Sequence, residues 1–497
     1  MASYTSFSLH GAGPVVCCSS SKSKNKSFDG NKLGAVDWGC DAYTPEGSQI
    51  FQEWLTSQRR LPPQKLTLQP VESGGRGLVA KTNIRRGEKL LYVPFSLVIT
   101  RDSEWTCAQS QWCLSAEDVP DWPFLATYLI SEASKGKDSP WHPYISALPN
   151  KPESILLWSE TETRNYLFAS SVINQALERI AEVENTFDSI DSSIYKKHSD
   201  LFPSEFFNVQ SFKWAFGILF SRLVRLQSLN QQVALVPWAD MLNHSSQVKA
   251  CLDYEAGSKT IILTTDQAYR PSEQVFISYG EKSKGEILLS YGFVSANVDE
   301  MDSLNISLSL SHDDELFAAK KAALEEHGLS CSCKYPITIG GIPSQLFAFS
   351  YLIACPASLE SCFSQLAAAA ASEGVTQLDG FRPFAFDAPL NLDIQAYETI
   401  LKTVEASLTK ISRFLGDIDR KNNVGILKGN DGKPVSLELS GKVKLACTLC
   451  LSEQRILQRA QYVLRSKLRE LRARQALSGE SVLAGSGFLY GLGKLFK

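Results

Sequence analysis

The chain has 497 residues, with 50 Lys+Arg against 53 Asp+Glu, a net charge of −3, 44% hydrophobic and 21% charged residues. That balance is ordinary for a folded chain of roughly three domains at about 150 residues each, and it disfavours a globally basic, nucleic-acid-coating surface. No run of 18 apolar residues occurs, and the most apolar stretch, Leu90–Ile99, is broken by Pro94, so no membrane-spanning helix is expected.

Residues 1–28 hold eight serines, three lysines and no acid. They lack the apolar core of a secretory signal, and arginine is absent. This composition predicts a chloroplast transit segment, disordered and removed within residues 1–45. Ser48–Gln58 then reads as a short amphipathic helix with Phe51, Trp54 and Leu55 on one face. Ser73–Ala80 is a glycine turn feeding a strand, Ile84–Glu88 a turn, and Lys89–Val93 a strand stopped by Pro94. Helical periodicity takes over at 103–230, notably Tyr166–Val183 and Phe212–Leu229. Strand runs return at Val233–Pro237, Thr260–Thr265 and Gln274–Ser278.

From about residue 312 the pattern is mostly helical. Tyr397, Leu401, Val404, Leu408, Ile411 and Leu415 recur at spacings of 4, 3, 4, 3, 4, and Leu457, Ala460, Leu464, Leu468 and Leu471 at 3, 4, 4, 3. Between these two packing helices, Asn430-Asp-Gly432 signals a hairpin turn. The glycine-rich end, 476–497, reads as a flexible tail. Its Gly485–Gly491 run resembles a phosphate loop only superficially, since no βαβ unit can follow it.

Twelve cysteines are sparse for this length, and only Cys331/Cys333 and Cys447/Cys450 have close spacings that could suggest a metal. Neither pair has a histidine at a zinc-finger spacing, so no metal is expected and the thiols read as small apolar residues. There is no GxSxG elbow and no HExxH helix. Three polar clusters remain. Val236–Ser245 is an apolar run closing on Asp240, Asn243, His244 and Ser245. Gln274–Gly280 ends a strand in Tyr-Gly, and Leu288–Val294 presents a second Tyr-Gly. Each alone reads equally well as packing.

In order, these motifs resemble the SET-domain protein-lysine methyltransferases, and within them the plant Rubisco large-subunit methyltransferase family. The matching segments are Gly75-Arg-Gly-Leu-Val-Ala80, Ala239-Asp-Met-Leu-Asn-His-Ser245, Ile277-Ser-Tyr-Gly280, Leu289-Ser-Tyr-Gly-Phe293 and Trp141-His-Pro-Tyr-Ile-Ser-Ala-Leu-Pro149. The resemblance implies an α+β fold. A SET domain of small β-sheets with a pseudoknot would occupy 48–311, with its helical insertion at about 103–230. An all-α substrate-binding domain would follow at 312–475.

It also implies roles. Gly74, Gly75 and Arg76 would wrap S-adenosyl-L-methionine with backbone groups, and Asn243 and His244 would hold its amine and adenine. Arg222, Arg225, Asp240 and Tyr291 would line the substrate pocket, and Tyr279 would be catalytic. The partner would be a stromal protein offering a lysine, such as the Rubisco large subunit or aldolase. The enzyme would be monomeric, in the chloroplast stroma, with no membrane and no nucleic acid. The family acid expected before Gly-x-Gly is replaced by Gly74. The other reading is a non-catalytic SET-fold scaffold in a plastid protein or nucleoid assembly. It draws on the stretch Glu453–Arg474, where seven basic residues face only Glu453 and Glu470.

Overall fold

The computed structural model describes residues 38–40, 44–57, 64–71, 75–103, 119–295, 302–372, 376–377, 388–422 and 441–491. The transit call on 1–37, the hairpin at Asn430–Gly432 and Gly74 lie outside them. Two compact units emerge. The first takes the chain up to Ser159, Leu177–Glu281 and Ser290–Gly292; the second takes Glu160–Ala176, Lys282–Leu289 and the chain from Phe293 onward.

In the first unit, α1 (Pro45–Ser57) buries Phe51 and Leu55. Strands β1 (Leu66–Val71) and β2 (Gly75–Ala80) form an antiparallel pair with Val71 opposite Gly75. β3 (Lys89–Pro94) carries a bulge at Leu91 and Tyr92, both at positive φ. The helical insertion supplies α2 (Asp121–Ser134), the short α3 (His142–Ile145), α4 (Glu160–Leu167), α5 (Ile173–Ile190) and α6 (Val209–Arg222), of which α4 and the start of α5 belong to the second unit. The continuous helix expected over 166–183 is therefore broken, because Ser170 and Ser171 turn their hydroxyls to another partner. The helix expected to reach Leu229 stops at Arg222. Leu223 is extended there, and the chain folds into the hairpin β4 (Val224–Leu226) and β5 (Gln232–Ala234).

β7 (Leu252–Glu255) and β8 (Thr260–Thr264) extend β3 into a three-stranded antiparallel sheet. One further pairing positions the site. β6 (Asn243–His244) runs parallel to β9 (Phe276–Ile277). Just upstream, the same passing segment bonds antiparallel to β2, through Ala80 N–H to Glu273 O at 2.9 Å and Val275 N–H to Leu78 O at 2.9 Å. The Gln274–Gly280 stretch is thus threaded against both motifs, as a pseudoknot requires. Buried Leu78, Val93, Trp238, Leu263 and Ile277 form the core beneath it.

The second unit contains α7 (Lys284–Tyr291, through Leu289), β10 (Ser303–Ser309), α8 (Phe317–Glu326) and β11 (Ser332–Thr338). These are followed by β12 (Ile342–Pro343), α9 (Ser344–Ala354), α10 (Phe363–Ala371), β13 (Thr376–Gln377), α11 (Leu390–Asn422) and α12 (Gly441–Gly491). It is dominated by helices, as expected, but it also pairs β10 with β11 over seven residues. The alternation that buries Leu304, Ile306 and Leu308 marks that strand. α11 and α12 pack along buried Val404, Ile411, Leu415, Leu457, Leu464 and Leu468. Glu405–Arg465 and Glu398–Arg472 pair across them in antiparallel register. α12 runs on to Gly491, so most of the expected tail is helical. Cys447 and Cys450 sit buried in this helix. Burial pushes both thiols up, Cys447 to about 12, which keeps them protonated packing residues. Among the described residues no group of three or more His, Cys, Asp or Glu could hold a metal, and no helix is long and apolar enough to cross a membrane.

Candidate active site

The threaded segment ends at Tyr279, whose surroundings are assembled from four stretches of the first unit. The Tyr279 backbone N–H donates to His244 Nδ1 at 3.1 Å, and its hydroxyl donates to the Leu242 carbonyl at 2.7 Å. Accepting at Nδ1 places the proton of a neutral His244 ring on Nε2. The Tyr279 ring stacks with His244 at 5.1 Å and with Tyr291 at 4.5 Å. Burial pushes the Tyr279 phenol up to about 12, with Asp240 adding to the shift and Arg222 opposing it. The hydroxyl therefore stays neutral near pH 7. Because its proton goes to Leu242, its oxygen is left an acceptor on the other side.

Tyr291 lies at the end of a helix rather than a strand, and the turn after it is tightly specified. Gly292 has φ +77, and a Cβ there would stand 1.2 Å from the Glu153 carbonyl oxygen. The first motif meets the second through Asn243, whose Nδ2 donates to the Arg76 carbonyl at 3.0 Å. Gly75 sits at φ +139 with nothing within 4 Å of where a Cβ would stand, whereas Gly77 faces Gln274 Nε2 and Asn243 Nδ2 at 2.3 and 2.8 Å from its own Cβ position. The backbone at Gly75 is thus open to a ligand, while Gly77 is required for close packing. The Arg76 guanidinium turns inward instead, donating to the Ala147 carbonyl and to Cys40 Sγ.

Beside the tyrosines lies a buried charged node. Arg222 Nη1 donates to the Asp240 carbonyl at 2.8 Å and to Asp240 Oδ2 at 3.2 Å. The Tyr144 hydroxyl donates to that same Oδ2 at 2.8 Å. Burial pushes the Asp240 carboxyl above the usual carboxylate range, and Arg222 and Tyr144 oppose that. Asp240 Oδ1, Arg222 Nε and Gln274 Nε2 are buried and have no hydrogen-bond partner among the described residues. Orphaned buried polar atoms are rare in a finished core; two of these belong to the charged node beside Tyr279 and the third faces Gly77, and a polar, charged ligand would complete them. The residues thus suit a zwitterionic cofactor beside a cationic amine.

Of the residues singled out from sequence, Arg76, Arg222, Asp240, Asn243, His244, Tyr279 and Tyr291 come together, with Gly75 at the edge. Arg225 does not: it stands exposed on β4 opposite Val233. Sequence reasoning quoted Tyr144 within a motif but gave it no role, and it missed Gln274 and the Leu242 carbonyl.

A family model described as SET domain matches residues 75–280, and one described as Rubisco LSMT substrate-binding matches residues 311–457. The chain thus carries a SET domain followed by a Rubisco LSMT substrate-binding domain. Among curated relatives, it is 28% identical over 330 residues to the chloroplastic ribulose-1,5 bisphosphate carboxylase/oxygenase large subunit N-methyltransferase of Nicotiana tabacum, covering 63% of this chain and 65% of that protein. It is 30% identical over 322 residues to the chloroplastic fructose-bisphosphate aldolase-lysine N-methyltransferase of Arabidopsis thaliana, covering 62% and 65%. The chain therefore spans just under two thirds of the length of these relatives. A structure of Rubisco LSMT bound to sinefungin and monomethyllysine superposes with TM-score 0.67 at 24% identity, over 86% of this chain and 93% of that one. That likeness shows the SET fold with its helical second lobe.

Proposed function

We propose that this SET-domain chain is an S-adenosyl-L-methionine-dependent protein-lysine N-methyltransferase acting on a chloroplast protein. The observation that carries the reading is the convergence of Gly75, Asn243-His244, Tyr279 and Tyr291 through one threaded segment, beside buried polar atoms left without partners. The cofactor supplies an electrophilic methyl group on a sulfonium. The open backbone at Gly75 and the Asn243 and His244 side chains hold it. Tyr279 and Tyr291 form a tight aromatic wall that orients the amine and desolvates it, which lowers the lysine pKa and favours the neutral nucleophile. The Tyr279 hydroxyl oxygen accepts from the partly positive methyl hydrogens as charge moves. Arg222 and Tyr144 hold the Asp240 carboxyl in place beside the tyrosines. Chloroplast residence and a substrate such as the Rubisco large subunit or aldolase follow the relatives' names and the acid-free start of the chain.

The test uses labelled S-adenosyl-L-methionine with purified Rubisco, aldolase and a stromal extract, followed by mass spectrometry of labelled proteins. Tyr279→Phe is expected to bind cofactor normally and to lose roughly 10²-fold in turnover. Asn243→Ala is expected to weaken cofactor binding itself. Wild-type turnover by Tyr279→Phe would remove its catalytic role. A wild-type protein that binds no cofactor would leave the scaffold reading standing.

A further inference from the structure

The outer face of α12 carries a charge pattern that packing does not use. Positions 455, 459, 462, 466, 469, 473 and 477 recur at 4, 3, 4, 3, 4, 4 and fall within an arc of about 80° at 100° per residue. The arc lies opposite the buried seam of Leu457, Leu464, Leu468 and Leu471. It holds Arg455, Arg459, Tyr462, Arg469 and Leu477, with small residues between them and no acid. From end to end it measures about 33 Å at 1.5 Å per residue.

The neighbouring basic residues are accounted for. Arg465 pairs with Glu405 at 2.6 Å, Arg472 with Glu398 at 2.7 Å, Lys467 with Glu470 at 2.9 Å and Arg474 with Glu470 at 2.6 Å. Arg455, Arg459 and Arg469 have no carboxylate partner among the described residues. Arg459 leans over the Tyr462 ring at 5.9 Å. Tyr462 is 64% exposed and Leu477 68%, two of the five large apolar side chains exposed among the described residues. An extended stripe that joins unpaired arginines to exposed apolar groups has the composition of an interface core. Most of it also lies past residue 457, where the substrate-binding match ends.

We infer that this face docks an acidic, amphipathic segment of the protein being methylated, its carboxylates meeting the three arginines and its apolar side chains covering Tyr462 and Leu477. The inference rests on the methyltransferase reading for what the partner is, not for the face itself. Charge decides among occupants. A second copy of the same face would set arginine against arginine. A nucleic-acid strand would have to pass Glu398, Glu405 and Glu470, which flank the stripe on both sides.

The experiment uses the full-length protein and fluorescence anisotropy with three labelled probes: a helix-forming peptide rich in Glu and Leu, the same peptide with Lys replacing Glu, and a single-stranded oligonucleotide. The acidic peptide alone is expected to bind, and to weaken about tenfold between about 50 and 300 mM NaCl. The combined variant Arg455→Glu, Arg459→Glu, Arg469→Glu is expected to lose that binding with an unchanged thermal melt, since none of the three is paired. Arg→Lys at the same positions should retain most of it. In methylation assays on the protein substrate, the Glu variant should raise KM about tenfold with kcat unchanged. Failure of the acidic peptide to bind, or equal binding by the Glu variant, overturns the inference. So does oligonucleotide binding that the Glu variant abolishes. An unchanged KM removes the docking role and leaves the methyltransferase standing. Acidic-peptide binding through this face in a protein that transfers no methyl group leaves the docking face and removes the methyltransferase.

Discussion

Tyr144 shows how a site residue can be invisible in a sequence. Its contact, Asp240, lies 96 positions away, and nothing in Trp141–Pro149 distinguishes a tyrosine that donates to a buried acid from one that packs. Tyr144→Phe preserves the ring beside Phe51 and Trp141 and removes one donor from a fully buried carboxylate. It is expected to cost about 1–3 kcal/mol in denaturant unfolding, with turnover falling as Asp240 loses its anchor; an unchanged midpoint would show the bond to be idle. Gly292→Ala is the sharper steric test. Its methyl would enter the Glu153 carbonyl at φ +77, so a loss of at least about 3 kcal/mol is expected, read from the thermal melt. Asn243, His244 and Tyr279 were legible because each closes an apolar run with polar chemistry, a pattern that survives folding intact. Arg225 shared Arg222's neighbourhood in sequence but not in space, since the helix ends between them and the strand turns Arg225 outward.

At the scale of elements, heptad spacing foretold α11 and α12, because their long apolar seams are one-dimensional patterns. The break between α4 and α5 was not foretold, because its cause is a distant acid. Ser170 Oγ, Ser171 N–H and Ser171 Oγ all donate to Glu453 of α12, at 2.9, 3.1 and 2.7 Å. Around this acid, Lys284 and Asp302 join through Ser452. Burial pushes the Glu453 carboxyl up to about 7, with the serine donors opposing and Asp302 adding to the shift. Between its ordinary 4.5 and 7 the folded chain holds a proton that the unfolded chain releases. Stability from this group is therefore full below pH 4.5, falls as pH rises through that window, and is flat above it. The total is about 3 kcal/mol at 1.36 kcal/mol per pH unit. Glu453→Gln should flatten that slope in urea unfolding measured across the window; a slope that persists in the variant would place its origin elsewhere.

For the whole molecule, the expected boundary at 312 divides the sequence but not the folded units. The second unit also takes Glu160–Ala176 and Lys282–Leu289, segments that lie inside the first unit's stretch of sequence. Periodicity cannot show such an exchange, since it depends on which distant surface a segment covers. Truncation at 311 therefore strips Lys442 from Glu162, Phe414 from Phe168 and Glu453 from Ser170 and Ser171. The truncated protein is expected to aggregate or to melt several degrees lower in size-exclusion and thermal assays; a monodisperse product with the full-length melting temperature would contradict this. The same interleaving sets a timetable for synthesis. Ser170 leaves the ribosome 283 residues ahead of Glu453, a wait of roughly 15–60 s at about 5–20 residues per second. Throughout that interval the 160–176 segment lacks the acid that Ser170 and Ser171 bond, so nascent chains of this protein present an incompletely packed stretch that a chaperone must shield or a protease will find.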